Sequence, residues 1–166
     1  RPIYVHFPFI LNPARQKIGK RNGAVSIRDY RTQGYLPETL ANFAILNVWH
    51  PKDDQEIFSI SELIEKFELE RMGKSGAIFD QQKLDWLNRE YMKRLAPEEL
   101  LKRTQNFLPD GGEKFLPLLL ERINKLGDLK ALLEPGGEYD FLMSAPEYSK
   151  ELLIGKSGAG ESESKE

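Results

Sequence analysis

The sequence predicts a mainly α-helical fold with a small α/β part at its N-terminal end. Two observations lead to this prediction. Residues 3–11, IYVHFPFIL, are rich in the aromatic and β-branched side chains that are typical of a strand. From residue 36 onwards, apolar residues instead recur at helical spacing behind recognisable capping residues. With 166 residues, 40% of them hydrophobic, the chain is long enough to bury a substantial core.

The composition excludes several kinds of site. The chain has no cysteine, so it forms no disulfide and no thiolate metal site. Its histidines, His6 and His50, are far apart in sequence, and no metal site is predicted. No apolar run approaches the roughly 20 residues that span a bilayer, so no membrane contact is expected. The net charge of −2 does not mark the whole chain as a nucleic-acid binder, although residues 14–31 carry six cations against one acid.

The N-terminal part is predicted to alternate strand and loop before its first long helix. Pro8 places the first strand at a sheet edge or at its own end. Residues 12–24 form a loop by their Pro, Asn and Gly content, and VSIRDY, residues 25–30, is predicted as a short strand leading into a turn. LPETLANFAILNV, residues 36–48, is predicted as a helix with Pro37 in its first turn. Its apolar face is formed by Leu36, Leu40, Phe43 and Ala44.

Two capped helices follow. Ser59 and Glu62 have the spacing of a capping box, and a short amphipathic helix is predicted behind them. Its apolar residues are Leu63, Ile64 and Phe67. MGKSGAIF is predicted as a loop with a short strand, and Asp80 as the N-cap, not a catalytic acid, of the helix DQQKLDWLNREYMKRL. The apolar stripe of that helix consists of Leu84, Leu87, Tyr91 and Leu95.

The pattern becomes entirely helical after residue 96. Pro97 opens a helix that is predicted to continue to about Phe107. Further helices are predicted from Leu116 to Ile123, from Gly127–Asp128, and over APEYSKELLI, residues 145–154. Residues 155–166 hold no apolar side chain larger than alanine and are predicted to be disordered or a linker. The change of pattern places a domain boundary near Leu95.

Residues 17–24, KIGKRNGA, form a segment that we call the basic loop. Consecutive backbone amides in a glycine-containing loop can hold an anion, and Lys17 and Lys20 flank Gly19. Basic loops with glycine are common on protein surfaces, so on these residues alone a solvated turn fits better than a phosphate site. The patterns GxxxxGK[ST] and GxGxxG are both absent, which excludes the two common glycine-rich phosphate motifs.

Other conspicuous side chains are predicted to serve structure. Trp86 and Leu87 are expected in the core, with stacking on a nucleic-acid base as the alternative. His6 is expected to be packed or at the surface and not a ligand. His50 precedes Pro51 in a loop and is assigned no role.

The sequence around the basic loop resembles one known family. Residues 8–49, PFILNPARQKIGKRNGAVSIRDYRTQGYLPETLANFAILNVW, are similar to the signature-loop region of glutamyl-tRNA synthetases, which are class I aminoacyl-tRNA synthetases. The lysine motif of that family, written KMSKS or KLSKR, aligns with KIGKR, and YRTQGYLPET resembles its helix start. The similarity continues through FDQQKLDWLN to SAPEYSKELLI and so covers residues 2–154.

The resemblance implies a two-step reaction. Glutamate and ATP give glutamyl-adenylate and pyrophosphate, and the glutamyl group then passes to the 3′ end of tRNA(Glu). The implied partners are ATP with Mg²⁺, L-glutamate and tRNA(Glu), and the implied parent protein is a cytoplasmic monomer. By position, Lys17 and Lys20 match the two motif lysines and are the implied catalytic residues. The implied ATP-binding residues are Lys17, Gly19, Lys20 and Arg21.

One position departs from the family pattern. Gly19 stands where the motif has serine, so a hydroxyl donor is lost while the backbone N–H remains and the loop gains freedom. Natural variation and a weaker local contact with ATP are both consistent with this difference. Because both lysines persist, the loop is still expected to act on ATP.

The resemblance also implies a domain organisation. Residues 1–24 correspond to the end of the catalytic domain, and residues 25–95 to a stem-contact domain of βααβα-like fold. Residues 96–154 correspond to the first part of an α-helical anticodon-binding domain, followed by a flexible polar tail over 155–166. Contacts with tRNA are implied for Arg28, Arg31, Lys74, Ser75, Lys83 and Arg89, with a solvated charge as the alternative at each position.

The family's second catalytic motif, the HIGH-type sequence on the adenine side of ATP, does not occur in the sequence. We therefore expect a fragment that is inactive alone and comes from an active parent. The alternatives are a non-catalytic tRNA-binding module, a paralogue that glutamylates a modified base, and a glutaminyl enzyme. The helices after Leu95 argue against the last two, since such paralogues generally lack that domain and glutaminyl enzymes have a β-barrel there. Whether the parent also charges tRNA(Gln) stays open.

Overall fold

The computed structural model describes residues 1–19 and 25–143. Its strands and α-helices are, in chain order, β1 (Ile10–Leu11), α1 (Ile27–Gln33), α2 (Pro37–Leu46), α3 (Ile60–Lys66), β2 (Ala77–Ile78), α4 (Gln81–Arg94), α5 (Pro97–Thr104), α6 (Leu116–Leu119) and α7 (Asp128–Leu133). Short 3₁₀ turns lie at Leu69–Arg71, Glu113–Phe115, Leu120–Arg122 and Asp140–Leu142. The fold is mainly helical with a small parallel sheet, as predicted. The helix and tail predicted beyond residue 143 lie outside the described residues.

The sheet is small, and most of the predicted first strand is not part of it. β1 and β2 pair in parallel, with Ile10 opposite Ala77 and Leu11 opposite Ile78. Residues 3–9 are not assigned to a strand, so the strand predicted over 3–11 is correct only for its last two positions. Pro8 has no N–H to donate to a ladder, which explains why pairing begins only after it.

Residues 25–30 do not form the predicted strand but lead into helix α1. Ser26 Oγ accepts the backbone N–H of Asp29, and the Asp29 carboxylate accepts the backbone N–H of Ser26 at 2.9 Å. This capping box outweighs the strand propensity of β-branched residues such as Val25. The helix ends at Gly34, whose φ of 88° favours glycine.

Helices α2 and α4 agree closely with the prediction. Pro37 occupies the first turn of α2, and the Asp80 carboxylate caps α4 by accepting the Lys83 N–H at 3.0 Å. Both helices bury residues of the predicted apolar faces, at Phe43 and Leu84. The prediction for α2 is wrong at Ala44, which is exposed because the helix turns that position towards solvent. No helix within the described part of the chain is long and apolar enough to cross a membrane.

Helix α3 begins behind the predicted Ser59–Glu62 capping box. The prediction of its apolar face is wrong at one position, because Leu63 is buried but Ile64 is 76% exposed. Consecutive residues on a helix point about 100° apart, so a helix of two turns that packs Leu63 inwards turns Ile64 towards solvent. Leu63 joins a small buried cluster with Trp49 and Phe58.

The C-terminal part is helical but more broken than predicted. α5 ends at Thr104 and not at Phe107, and the helix predicted from Leu116 to Ile123 is split into α6 and a 3₁₀ turn. Pro117 lies in the first turn of α6, and the backbone becomes extended at Ile123. Pieces this short are stabilised by burial and not by helix propensity, since Leu116 and Ile123 are both buried. The predicted start at Gly127–Asp128 is confirmed by α7.

One hydrophobic cluster joins the helices on both sides of residue 95. Its buried members are Leu36, Tyr91, Met92, Leu100, Leu116, Leu119, Ile123, Leu126, Leu129 and Leu133. A smaller cluster around Phe43, Leu84 and Leu87 lies beneath the N-terminal part, and Trp86 packs half-buried against it. The regions before and after residue 95 therefore share a core.

A buried asparagine crosses the same junction. Asn88 Oδ1 accepts the Leu36 N–H at 2.9 Å and the Thr39 hydroxyl at 3.0 Å. Asn88 Nδ2 donates to the Asn124 carbonyl at 2.7 Å. Asn88 and Thr39 are both fully buried, so these groups satisfy one another in the absence of bulk water. Through Asn88, the start of α2 and the segment before α7 are tied to α4.

Glycines allow the backbone at the end of α1 to contact the backbone just before α7. The Gly127 N–H donates to the Gln33 carbonyl, and the Leu126 N–H donates to the Gly34 carbonyl, both at 3.1 Å. A Cβ added at Gly127 would lie 2.5 Å from the Gln33 oxygen, which is closer than real Cβ contacts. The end of α1 is thus held against the segment that leads into α7.

Candidate functional site

A tight turn after β1 places Lys17 beside that strand. The Asn12 N–H donates to the Gln16 carbonyl at 2.8 Å, and the Gln16 N–H donates to the Asn12 side-chain oxygen at 2.9 Å. Arg15 lies inside the turn with φ of 59°, a conformation that few non-glycine residues adopt. The chain therefore reverses direction, and Lys17 forms an antiparallel bridge with Leu11.

Lys17, Ile18 and Gly19 are the residues of the basic loop that the structure describes. Lys17 is exposed, and its ammonium lies 3.9 Å from the centre of the Phe9 ring. Gly19 faces open space, because a Cβ added there would meet nothing within 4 Å, and its φ is not left-handed. Neither sterics nor backbone conformation therefore requires glycine at this position. The predicted site residues Lys20 and Arg21 lie outside the described residues.

The basic loop leads into a helix that is anchored at both ends. The capping box holds the first turn of α1, and the hydrogen bonds from Ser26 keep the pKa of the Asp29 carboxyl below its usual value. The contact between Gly127 and Gln33 holds the last turn. The C-terminal end of the loop therefore enters a fixed helix.

A cleft of about 990 Å³ opens beside Lys17, between β1, α1, α2 and the start of α4. Its apolar walls are formed by Pro8, Phe9, Ile10, Pro13, Ile18, Val25, Ile27, Tyr30, Leu40, Phe43, Ala44, Ile78, Phe79 and Leu84. Its polar groups come from Lys17, Asp80, Gln81 and Gln82. The cleft is not predictable from the sequence, because its lining residues come from separate stretches of the chain that share no motif.

Two tyrosines at or behind the cleft stay protonated near neutral pH. Burial raises the pKa of Tyr30, which lines the cleft, and the charge of Asp85 raises it further. The Tyr35 hydroxyl donates to Asp85 and accepts from Gln81 Nε2 at 2.8 Å. Burial first, and then the hydrogen bond to Asp85, raises the pKa of Tyr35. Both hydroxyls are therefore neutral, and Lys17 supplies the positive charge on the cleft wall.

The predicted tRNA contacts lie on several elements, and none of them lines the cleft. Arg28, Arg31, Lys74 and Ser75 are all exposed. Arg28 and Arg31 share helix α1 three residues apart. Lys83 forms an ion pair with Glu56, so a phosphate would have to displace a carboxylate there, and Arg89 is half-buried on α4.

Neither histidine forms part of a cluster of functional groups. His6 and His50 are both exposed. Across residues 1–19 and 25–143, no three His, Asp or Glu side chains come together in a way that could hold a metal ion. Of the predicted site residues that the structure describes, Lys17 is the one that lines the cleft.

Comparison with known proteins identifies the family. Residues 1–86 match the family model described as tRNA synthetases class I (E and Q), catalytic domain. The chain is 41% identical over 138 residues to a glutamate–tRNA ligase of Alkaliphilus metalliredigens, covering 83% of this chain and 28% of that protein. It is also 41% identical over 157 residues to a glutamate–tRNA ligase of Clostridium kluyveri, covering 93% of this chain and 32% of that protein.

Solved structures agree with the sequence comparison. A crystal structure of a glutamate tRNA ligase from Elizabethkingia meningosepticum, in complex with its amino acid, superposes with a TM-score of 0.71 at 27% identity, covering 91% of this chain and 34% of that one. The glutamate–tRNA synthetase of Elizabethkingia anophelis gives a TM-score of 0.72 at 26% identity, with 91% and 35% covered. The chain thus spans about a third of the length of the proteins it matches. These matches confirm the resemblance drawn from the basic loop and its flanking motifs: the chain belongs to the class I tRNA synthetases of the glutamate and glutamine type.

Proposed function

We propose that the chain is part of a glutamate–tRNA ligase, which activates glutamate with ATP and transfers it to the 3′ end of tRNA(Glu). The observation that carries this proposal is the 41% identity to glutamate–tRNA ligases over most of the chain. The sequence has the lysine motif at residues 17–21 in its expected place, ahead of the matching helix start. By the same resemblance, the parent protein acts as a monomer in the cytoplasm.

The basic loop binds the phosphates of ATP in this proposal. Glutamate attacks the α-phosphate, so the protein needs no nucleophile of its own and must position the reactants and stabilise charge on the leaving pyrophosphate. Lys17 and Lys20 supply that charge, while the backbone N–H of Gly19 and the side chain of Arg21 contact the triphosphate. The exposed position of Lys17 at the cleft supports this role, since an ammonium there can contact an incoming anion. Mg²⁺ arrives with ATP as part of the substrate, and no residue is assigned to it.

The proposed domains follow the family pattern. Residues 1–24 end the catalytic domain, residues 25–95 form the stem-contact domain, and residues 96–154 begin the anticodon-binding domain, with a polar tail over 155–166. Residues 25–95 contribute helices α1–α4 and strand β2, and β2 pairs with β1 of the preceding domain, so the sheet joins the two proposed domains. The helical character of residues 97–133 supports the start of an α-helical domain.

The same domains contact tRNA through cationic and polar side chains. Arg28 and Arg31 on α1 form the strongest candidate pair, because both are exposed on a helix that is fixed at both ends. Lys74, Ser75, Lys83 and Arg89 add contacts along β2 and α4. Such side chains position the RNA backbone without reading its sequence, so their contribution should fall steeply with salt.

Salt-dependent binding of this chain to tRNA(Glu) and to an unrelated tRNA tests the contact. We expect both to bind at low salt, with affinity falling linearly on a log–log plot against salt concentration. The double variant R28Q/R31Q should reduce the slope by about two, because each phosphate contact contributes nearly one. Absence of binding at low salt would contradict the tRNA-contact role.

A catalytic assay compares the activity of this chain with that of the full-length protein. We expect glutamate-dependent ATP–pyrophosphate exchange from the full-length protein and none from residues 1–166 alone, since the HIGH-type motif does not occur in this sequence. Exchange catalysed by the isolated chain would contradict the assignment of the remaining ATP contacts to other parts of the parent. Failure of the full-length protein to exchange would favour a tRNA-binding module without catalysis.

A further inference from the structure

The contact between Phe9 and Lys17 is not explained by the packing of the fold. Phe9 lies in the segment ahead of β1 and is 61% exposed. The Lys17 ammonium lies 3.9 Å from its ring centre, well inside the roughly 6 Å over which an aromatic face attracts a cation. Neither side chain belongs to the three buried clusters. The main effect of the contact is therefore to fix the position of the Lys17 ammonium.

The local backbone creates this contact. The turn after β1 brings Lys17 opposite Leu11, and Phe9 precedes Leu11 by two residues, which puts both on the same side of an extended chain. Diagonal neighbours across two antiparallel segments are within reach of long side chains. Phe9 and Lys17 both line the cleft, so the ammonium is held at its wall.

We propose that Phe9 is a positioning residue that holds Lys17 at the cleft until a polyphosphate binds. This inference rests on the proposed function, in which Lys17 contacts the triphosphate of ATP. A lysine side chain has four rotatable bonds and samples many rotamers in water, so the ring contact is what keeps its ammonium at the cleft wall in the free protein. The ring restricts the ammonium weakly enough for an anion to take it over. A carboxylate in the same place would pair with Lys17 and compete more strongly with phosphate.

The side-chain NMR signals of Lys17 in this chain test the contact. Protons above an aromatic ring are shifted upfield, so F9L should remove an upfield shift of the Lys17 ε-protons. F7L is the matched control, because Phe7 lies in the same segment and is exposed to a similar extent at 56%. We expect F7L to keep the Lys17 shift of the wild type. An unchanged Lys17 shift in F9L would overturn the proposal, and circular dichroism checks that both variants stay folded.

Titration with sodium tripolyphosphate tests the release of Lys17. We expect the upfield shift to disappear as tripolyphosphate binds the wild type. F9L should bind it about two- to fivefold more tightly, because no ring contact has to be broken, and F7L should bind it like the wild type. Equal affinities of wild type and F9L would overturn the release step. If tripolyphosphate moves the Lys17 signals in neither the wild type nor F9L, the proposed role of the basic loop is contradicted, and the inference about Phe9 is contradicted with it. If the wild type shows no upfield shift of the Lys17 protons, only the inference about Phe9 is contradicted.

Discussion

Arg103 and Glu38 lie 65 positions apart in the sequence and form a bidentate ion pair that joins α5 to α2. Arg103 Nη1 and Nη2 donate to the two Glu38 oxygens at 2.9 Å each, and Arg103 Nε donates to Glu99 at 2.7 Å. The Arg103 and Glu38 side chains are 25% and 32% exposed, so the pair is partly shielded from water. It adds a charged contact to the core that the regions before and after residue 95 share.

Replacing Arg103 by lysine should lower the free energy of unfolding by about 1 kcal/mol. Lysine keeps the charge but cannot present two parallel N–H groups to one carboxylate. Urea unfolding followed by circular dichroism measures the change. K130M is the matched control, because Lys130 and Glu134 are 66% and 53% exposed, and we expect it to change stability by less than about 0.5 kcal/mol. Equal losses in both variants would contradict a special contribution from the bidentate geometry.

The same pair predicts a pH dependence of stability. The Arg103 hydrogen bonds hold the pKa of Glu38 below its ordinary value of 4.5. The unfolded chain therefore binds a proton at Glu38 before the folded chain does, and the stability that this group contributes is present above about pH 4.5 and lost as the pH falls through the folded pKa. The stability difference between wild type and E38Q should shrink over that range. A difference that stays constant from pH 7 to pH 3 would show that Glu38 is not stabilised by its charge.

Replacing Asn88 by alanine should be among the more damaging single changes in the chain. It removes the partner of the Leu36 N–H, the Thr39 hydroxyl and the Asn124 carbonyl at once. Buried groups left without partners cost about 1–3 kcal/mol each, so we expect a total loss of about 3 kcal/mol after some relaxation. N106A, at an exposed asparagine, should stay within about 0.5 kcal/mol of the wild type. A loss below about 1 kcal/mol in N88A would mean that water replaces the amide.

Replacing Gly127 by alanine should cost about 1–3 kcal/mol, because its Cβ would meet the Gln33 backbone oxygen at 2.5 Å. The φ of Gly127 is −62°, which alanine adopts freely, so the effect reports the contact and not backbone strain. G73A is the matched control, since the nearest atom to its Cβ would be the His50 ring at 3.6 Å. We expect thermal unfolding of G73A at or above the wild-type temperature and of G127A clearly below it. Equal melting temperatures would contradict close packing at this junction.

The sequence predicts local structure best where a side chain interacts with the backbone of residues close to it in sequence. Short sequence patterns predict the Ser59 and Asp80 caps and the proline at the start of α2. The same rule applies at Ser26 and Asp29, whose capping box starts α1 where the β-branched residues around it predict a strand. At a helix start, the acidic residue three positions after a serine predicts the structure better than the strand propensity of the residues between them.

Contacts between distant segments were not predictable in this way. The Arg103–Glu38 pair, the bonds of Asn88 and the approach of Gly127 to Gln33 depend on how helices pack, and no spacing rule connects their positions. For the site, the motif predicts a functional role for the loop that contains Lys17. The motif does not reveal that the Lys17 side chain lies against Phe9 on the wall of a cleft. In the sequence, Phe9 is one of several apolar residues of a predicted strand.

The most direct test of the account is the effect of Lys20→Ala on the full-length parent protein. ATP–pyrophosphate exchange and tRNA(Glu) affinity are measured side by side, with the variant K102A as control at an exposed lysine outside the basic loop. We expect K20A to slow adenylate formation by about 100-fold or more, the cost of losing one preorganised charge at a reacting centre, while tRNA affinity stays within about threefold of the wild type. K102A should match the wild type in both assays. An equal loss of exchange and tRNA affinity in K20A, or no loss of exchange, would contradict the assignment of the basic loop to ATP.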